Sequence, residues 1–172
     1  NPDEKTFSYI KDKLCSPENE NWGKAINWWK SLKSNENSIY DDVVKIDASK
    51  VEPTVTWGIT PGQSIGINQK IPSLKEIDPN DQFIAGEAYE YMGFKPGQPI
   101  KDTPVDVCFI GSCTNGRISD LRVAAKVLGN YKIAKNIKAF VVPGSERVAK
   151  EAKEEGLDKV FINAGFQWRE PG

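Results

Sequence analysis

Cys113 sits in Gly111-Ser112-Cys113-Thr114-Asn115-Gly116, between an apolar run that reads as a strand and a periodic run that reads as a helix. A thiol at such a junction meets unpaired backbone N–H groups and the positive end of a helix dipole. Both favour the thiolate, the form that attacks electrophiles and ligates metals. The dipole contributes only ~0.3–1 kcal/mol, less than one pKa unit. A permanently ionised sulfur there needs a stronger partner, and a metal would serve. Gly111, Ser112 and Gly116 are small enough to admit a bulky ligand close to the backbone. Ser112, Thr114 and Asn115 can donate hydrogen bonds to sulfur or to an oxyanion. Plainer readings stand beside these. A lone cysteine at a strand end is often a small inert hydrophobe, and Asn115 serves equally well as a helix N-cap. Cys108 lies inside the strand and reads as core; Cys15 lies in a loop and reads as incidental.

A second junction, Pro143-Gly144-Ser145, follows another apolar run. It could cradle a phosphate on a helix N-terminus, or it could be a turn with Ser145 as N-cap. Neither junction matches the glycine fingerprints of phosphate- or dinucleotide-binding loops. Arg117, Arg122 and Arg147 could bind a carboxylate or be ordinary solvated helix residues. Lys150-Glu151-Ala152-Lys153-Glu154-Glu155 reads as a solvated helix face.

The composition narrows the chemistry. The chain has 172 residues and no histidine, which removes His-activated nucleophiles, His-based metal sites and the commonest general base near neutral pH. Its three cysteines, none in C-x-x-C, argue against a disulfide framework and against a self-contained structural zinc site, and point to a reducing compartment. Lys and Arg (23) nearly balance Asp and Glu (24), so nothing favours nucleic acid or an anionic membrane. No apolar run approaches the ~18 residues of a membrane helix. The opening Asn1-Pro2-Asp3-Glu4-Lys5 resembles no signal or transit peptide, and the lack of a starting Met suggests a fragment or a processed form. A chain of this length buries roughly 70% of its unfolded surface without disulfide or metal.

The elements that must hold these junctions follow from periodicity. Residues 6–14 read as a short helix. Residues 21–34 read as a longer one, with Trp22, Ile26 and Trp29 on one stripe widened by Ala25, Trp28 and Leu32. That spacing favours packing over a nucleic-acid stacking platform. Residues 39–46 are rich in Val and Ile and predict a strand. Residues 52–62 form a short β run closed by Pro61-Gly62, and residues 61–80 read as an irregular loop. Asp78 and Pro79 open a helix, with Ile84, Ala88 and Tyr91 on its buried face and Gly93 at its end. Residues 94–104 form a Pro/Gly-rich connector. From Val105 the pattern becomes strand–turn–helix, repeated. The segment 105–110 is nearly all apolar, as in a strand buried on both faces. Ile118, Leu121, Ala125 and Leu128 mark a helix stopped by Gly129. Residues 138–142 form the next strand. A helix with Val148 and Ala152 inward follows, stopped by Gly156, and residues 159–162 begin a third unit. Short connections imply parallel strands with right-handed crossovers. In such sheets ligands bind beyond the carboxyl ends of the strands, where both junctions lie.

Gly111-Ser112-Cys113-Thr114-Asn115-Gly116-Arg117-Ile118-Ser119-Asp120-Leu121 resembles the first iron–sulfur ligand motif of the aconitase superfamily. Val141-Val142-Pro143-Gly144-Ser145 resembles the strand and turn that follow it, and Glu170-Pro171-Gly172 the lead-in to the second ligand motif. Residues 2–9 and Pro53-Thr54-Val55-Thr56-Trp57-Gly58 are similar to large subunits of the isopropylmalate dehydratase (isopropylmalate isomerase) branch. The likeness covers essentially the whole chain. Ile59-Thr60 and Cys15-Ser16-Pro17 depart from the usual pattern without touching the ligand motif.

The resemblance implies an α/β fold: a parallel-sheet, three-layer (αβα) aconitase-type domain with a mostly helical N-terminal extension. Residues 1–104 would be a helical or irregular segment packing on it, and 105–172 a βαβα segment carrying the first ligand motif. Together they would make one incomplete domain. The resemblance further implies a 4Fe–4S cluster held by three thiolates, whose open iron acts as a Lewis acid on a substrate hydroxyl and carboxylate without net redox. The reaction would interconvert 2- and 3-isopropylmalate by dehydration and rehydration in leucine biosynthesis, in the cytoplasm. A small subunit would be partner in a heterodimer or heterotetramer. Only Cys113 carries over as a cluster ligand, with Ser112, Thr114 and Asn115 around it. Homoaconitase and other alkylmalate dehydratases share the motif. As an internal fragment, with the remaining cysteines, histidines and small subunit outside it, the chain is expected to hold no stable cluster and no activity. Two other readings predict different behaviour: an α/β module binding a phosphate or nucleotide, and a structural fragment that self-associates.

Overall fold

The computed structural model describes residues 2–171, and the chain forms two compact units, Asn1–Val51 and Glu52–Gly172. The division between the units falls at 51/52, and composition places a further break in the connector before Val105.

The first unit has two helices, α1 (Glu4–Ile10) and α2 (Glu20–Ser31). Asp3 starts α1 by accepting hydrogen bonds from the Thr6 amide and hydroxyl, both at 2.8 Å. Those bonds stabilise the carboxylate and lower its pKa. Phe7 is buried and stacks on Trp29 (ring centroids 6.0 Å apart), which Trp22 meets edge-on at 5.9 Å. The expected stripe therefore contracts to an aromatic knot, and Trp28 is left 61% exposed. The strand expected over 39–46 does not form; Ile39, Val43, Val44 and Ile46 are exposed. β-propensity measures fit to a partnered, half-buried surface, and no partner strand lies in this unit among the described residues.

The second unit opens with an antiparallel hairpin, β1 (Thr54–Thr56) and β2 (Ser64–Gly66), so part of the region read as loop is a strand. Its turn is organised by buried Gln63, whose Oε1 accepts from the amides of Ile59 (2.6 Å) and Thr60 (3.2 Å). Helix α3 (Gln82–Met92) has Asp81 as its N-cap residue, not Asp78. The Asp78 carboxylate is used one turn earlier, accepting from the Asn80 amide. The buried face is also rotated from the expected one: Ala85, Ala88 and Tyr89 point inward, and Tyr91 is 81% exposed. The cause is tertiary. The Tyr89 hydroxyl donates to the Pro72 carbonyl at 2.6 Å, and its ring packs on Trp57 at 5.2 Å. Gly93 ends the helix with φ +70° as its type predicts.

The sheet that carries both junctions is parallel, in the order β3 (Val107–Gly111), β4 (Lys138–Val142), β5 (Gln167–Trp168). Between the strands run α4 (Ile118–Leu128), α5 (Glu146–Glu154) and α6 (Leu157–Ala164). Leu121, Ala139, Val141, Ala152 and Phe161 form their common core, with Cys108, Ile110 and Val148 against it. Residues 159–162 thus belong to a helix. Among the described residues strand β3 lies at the sheet edge and is covered on one face only, since Val107 and Phe109 are 53% and 57% exposed. Arg122 ties α4 to the end of α5 through Glu155 (Nε at 2.9 Å) and Glu151 (3.2 Å). This pairing holds the Glu155 carboxyl below its ordinary range. Its support is present above the unfolded carboxyl pKa and is lost as pH falls through the lowered folded one.

Phe161 is fully buried between Phe166 (5.6 Å) and Trp168 (6.3 Å). Phe161→Ala is expected to destabilise the unit by about 3–5 kcal/mol, read as a lower urea midpoint with the slope unchanged.

Candidate functional site

Strand β3 ends on Gly111 at a positive φ (+118°), and Ser112 just beyond it also has one (+124°). The chain therefore turns sharply off the carboxyl end of the sheet instead of running on. Position 111 requires glycine, because a Cβ there would stand 1.8 Å from the Val142 carbonyl oxygen. Ser112 pays the conformational cost of a non-glycine residue in that region, about 1–3 kcal/mol.

The bend delivers Ser112, Cys113, Thr114 and Asn115 to the surface, all four exposed. The Cys113 sulfur lies 3.7 Å from the Thr114 hydroxyl oxygen. Helix α4 begins only at Ile118, with Arg117 at its N-cap and the Arg117 amide bound to the Asp120 carboxylate at 3.0 Å. Asn115 is thus not the cap and lies in the exposed loop with Cys113.

The two junctions are one feature. The Gly144 amide donates to the Gly116 carbonyl at 2.8 Å, and Gly116 is buried beneath the exposed loop. A Cβ on Gly116 would fall 2.4 Å from the Ser112 carbonyl oxygen and 2.7 Å from the Gly144 nitrogen. Ser145 caps α5, its hydroxyl oxygen accepting from the Val148 amide at 3.3 Å. The Gly144 and Val148 amides are thus already engaged, which disfavours the phosphate cradle and leaves the turn-and-cap reading. Sequence reasoning missed this contact between the turns. The available signal was a pair of glycines just beyond the ends of adjacent parallel strands.

The remaining candidates do not converge on this site. Arg122 is engaged with Glu151 and Glu155. Arg147 is exposed on the first turn of α5. Cys15 is exposed in the other unit, and Cys108 is half-buried within β3, paired with Ala139 across the ladder.

An iron–sulfur cluster needs several thiolates at one point. Among the described residues no group of three or more His, Cys, Asp or Glu side chains could hold a metal ion. The cluster therefore does not fit on this chain's own residues; what they provide is one exposed sulfur on a tightly built mount.

The family model of the aconitase family (aconitate hydratase) matches residues 1–172. The chain is 92% identical over its whole length to a 3-isopropylmalate dehydratase large subunit from Prochlorococcus marinus strain MIT 9515. Proteins of the same description from Nostoc punctiforme and Synechocystis are 60% and 58% identical, again over the full chain. The chain spans 37% of the length of each of these relatives. With the family model matched from end to end and a parallel α/β sheet that carries the cysteine loop, this chain belongs to the aconitase family.

Proposed function

We propose that the chain is the part of an isopropylmalate dehydratase large subunit that supplies one cluster thiolate, Cys113. The observation that supports this most directly is the exposed Cys113 sulfur on a loop bent off the carboxyl end of β3, where α/β sheets place their ligands. The activity of the whole protein is then that of a hydro-lyase interconverting 2- and 3-isopropylmalate, acting in leucine biosynthesis with a 4Fe–4S cluster. It works with a small subunit in the cytoplasm. No helix among the described residues is long and apolar enough to cross a membrane.

On this reading the chain's own residues hold and present the sulfur. Gly111 and Ser112 set the bend, and Ser112, Thr114 and Asn115 supply hydrogen-bonding groups around Cys113. The hydroxyl of Thr114 is already beside the sulfur. Residues 105–172 are the segment of the domain that carries this motif, and further cluster ligands come from outside the chain.

The test is reconstitution. The 172-residue chain, purified anaerobically and treated with iron and sulfide, is expected to show no stoichiometric charge-transfer absorbance near about 400 nm and no dehydratase activity. A protein of the relatives' full length carrying this sequence is expected to show both. A stoichiometric cluster on the isolated chain would overturn the assignment of ligands to outside segments.

A further inference from the structure

We infer that Gly116 and Gly144 form a backbone latch that positions the Cys113 loop, so that both are positioning residues of the site. The inference rests on Cys113 being the working residue there. The loop from Ser112 to Gly116 leaves the sheet on two positive φ angles and is exposed along its whole outer side. Exposed side chains give such a loop little to hold it in one shape. Its fixed point lies underneath, where the Gly144 amide donates to the Gly116 carbonyl at 2.8 Å. The approach is close because neither residue has a side chain. A Cβ on Gly144 would stand 3.0 Å from the Gly116 oxygen and 3.1 Å from the Ser112 oxygen. On Gly116 it would stand 2.4 Å from the Ser112 oxygen, so the backbone itself must move. The latch thus joins the turn after β4 to the Gly116 carbonyl, with the Ser112 carbonyl packed close against the same two glycines. A shift there moves the sulfur without touching the core around Phe161.

The experiment uses the whole 172-residue chain and amide hydrogen exchange, with alkylation by iodoacetamide followed at each cysteine. Gly116→Ala is expected to raise exchange over 112–117 and at residue 144 by about tenfold or more. It should also change the Cys113 alkylation rate relative to Cys15 by about threefold or more, while exchange in β4 and α6 stays at the wild-type level. Gly144→Ala, with its milder contacts, is expected to do the same to a smaller extent and covers the case in which the first variant fails to fold. Gly156→Ala is the control: it strains a φ of +74° with open space around it and is expected to leave the Cys113 loop unchanged. A uniform rise in exchange across the second unit, or an unchanged Cys113 loop in folded Gly116→Ala and Gly144→Ala, would overturn the latch. Loss of the cluster assignment to Cys113 would leave these measurements standing, so the two ideas fail separately.

Discussion

Cys113→Ser, introduced into a protein of the relatives' full length, is expected to lower isopropylmalate dehydration by more than ~100-fold and to remove most of the cluster's visible absorbance. Serine keeps the size of the side chain and its place on the loop. It does not keep the chemistry, because a hydroxyl stays protonated at neutral pH where a metal-bound thiol is deprotonated. The effect is expected in the reaction rate and in iron content together, since both depend on the same sulfur. Cys15→Ser supplies the contrast. Cys15 is exposed in the other compact unit, and a surface substitution of this kind stays within about 0.5 kcal/mol of neutral. Activity and iron content in that variant should match wild type. Full iron content and wild-type activity in Cys113→Ser would remove the reading of this chain as a cluster-bearing segment.

Gly111→Ala is the second large effect. The new methyl group would sit 1.8 Å from the Val142 carbonyl oxygen, far inside van der Waals contact, on a backbone with φ +118°. The clash is with main chain in the neighbouring strand, so no side-chain rotation relieves it. Gly111 is paired with Val142 in the β3–β4 ladder, and relief means opening the end of that ladder. Conformational strain of about 1–3 kcal/mol and the lost end of the ladder together give an expected destabilisation of about 4 kcal/mol. In a chain of this size that corresponds to a fall in Tm of roughly 10 °C, measured by calorimetry. A fall of less than about 2 °C would mean that the bend at Gly111 is not as tight as its geometry indicates.

Much of the second unit was legible from short stretches of chain. The strands at 107–111 and 138–142 and the helix at 118–128 follow from runs of apolar residues and from their period. Gly93 and Gly156 stop or separate helices with φ of +70° and +74°, and Ser145 caps α5 through its own hydroxyl. Each of these depends on a few neighbouring residues. On α3, Ala88 is buried as its spacing predicts, but Ala85 and Tyr89 take the places expected for Ile84 and Tyr91, because the Tyr89 hydroxyl finds Pro72, seventeen residues away. The Val/Ile-rich stretch 39–46 carries the composition of a strand, yet composition cannot provide the partner that a strand requires.

The cysteine motif was readable in the same local way. By itself the sequence determined that a sulfur stands between a strand and a helix, flanked by glycines and hydroxyls, in a chain without histidine. Only the tertiary structure decided how that sulfur is held. The β3–β4 register places Gly111 against Val142, and Gly116 and Gly144 then meet just beyond the strand ends. Residues about thirty positions apart are brought within 3 Å by the closure of a parallel sheet around a helix, a long-range event that no local pattern of residue types encodes.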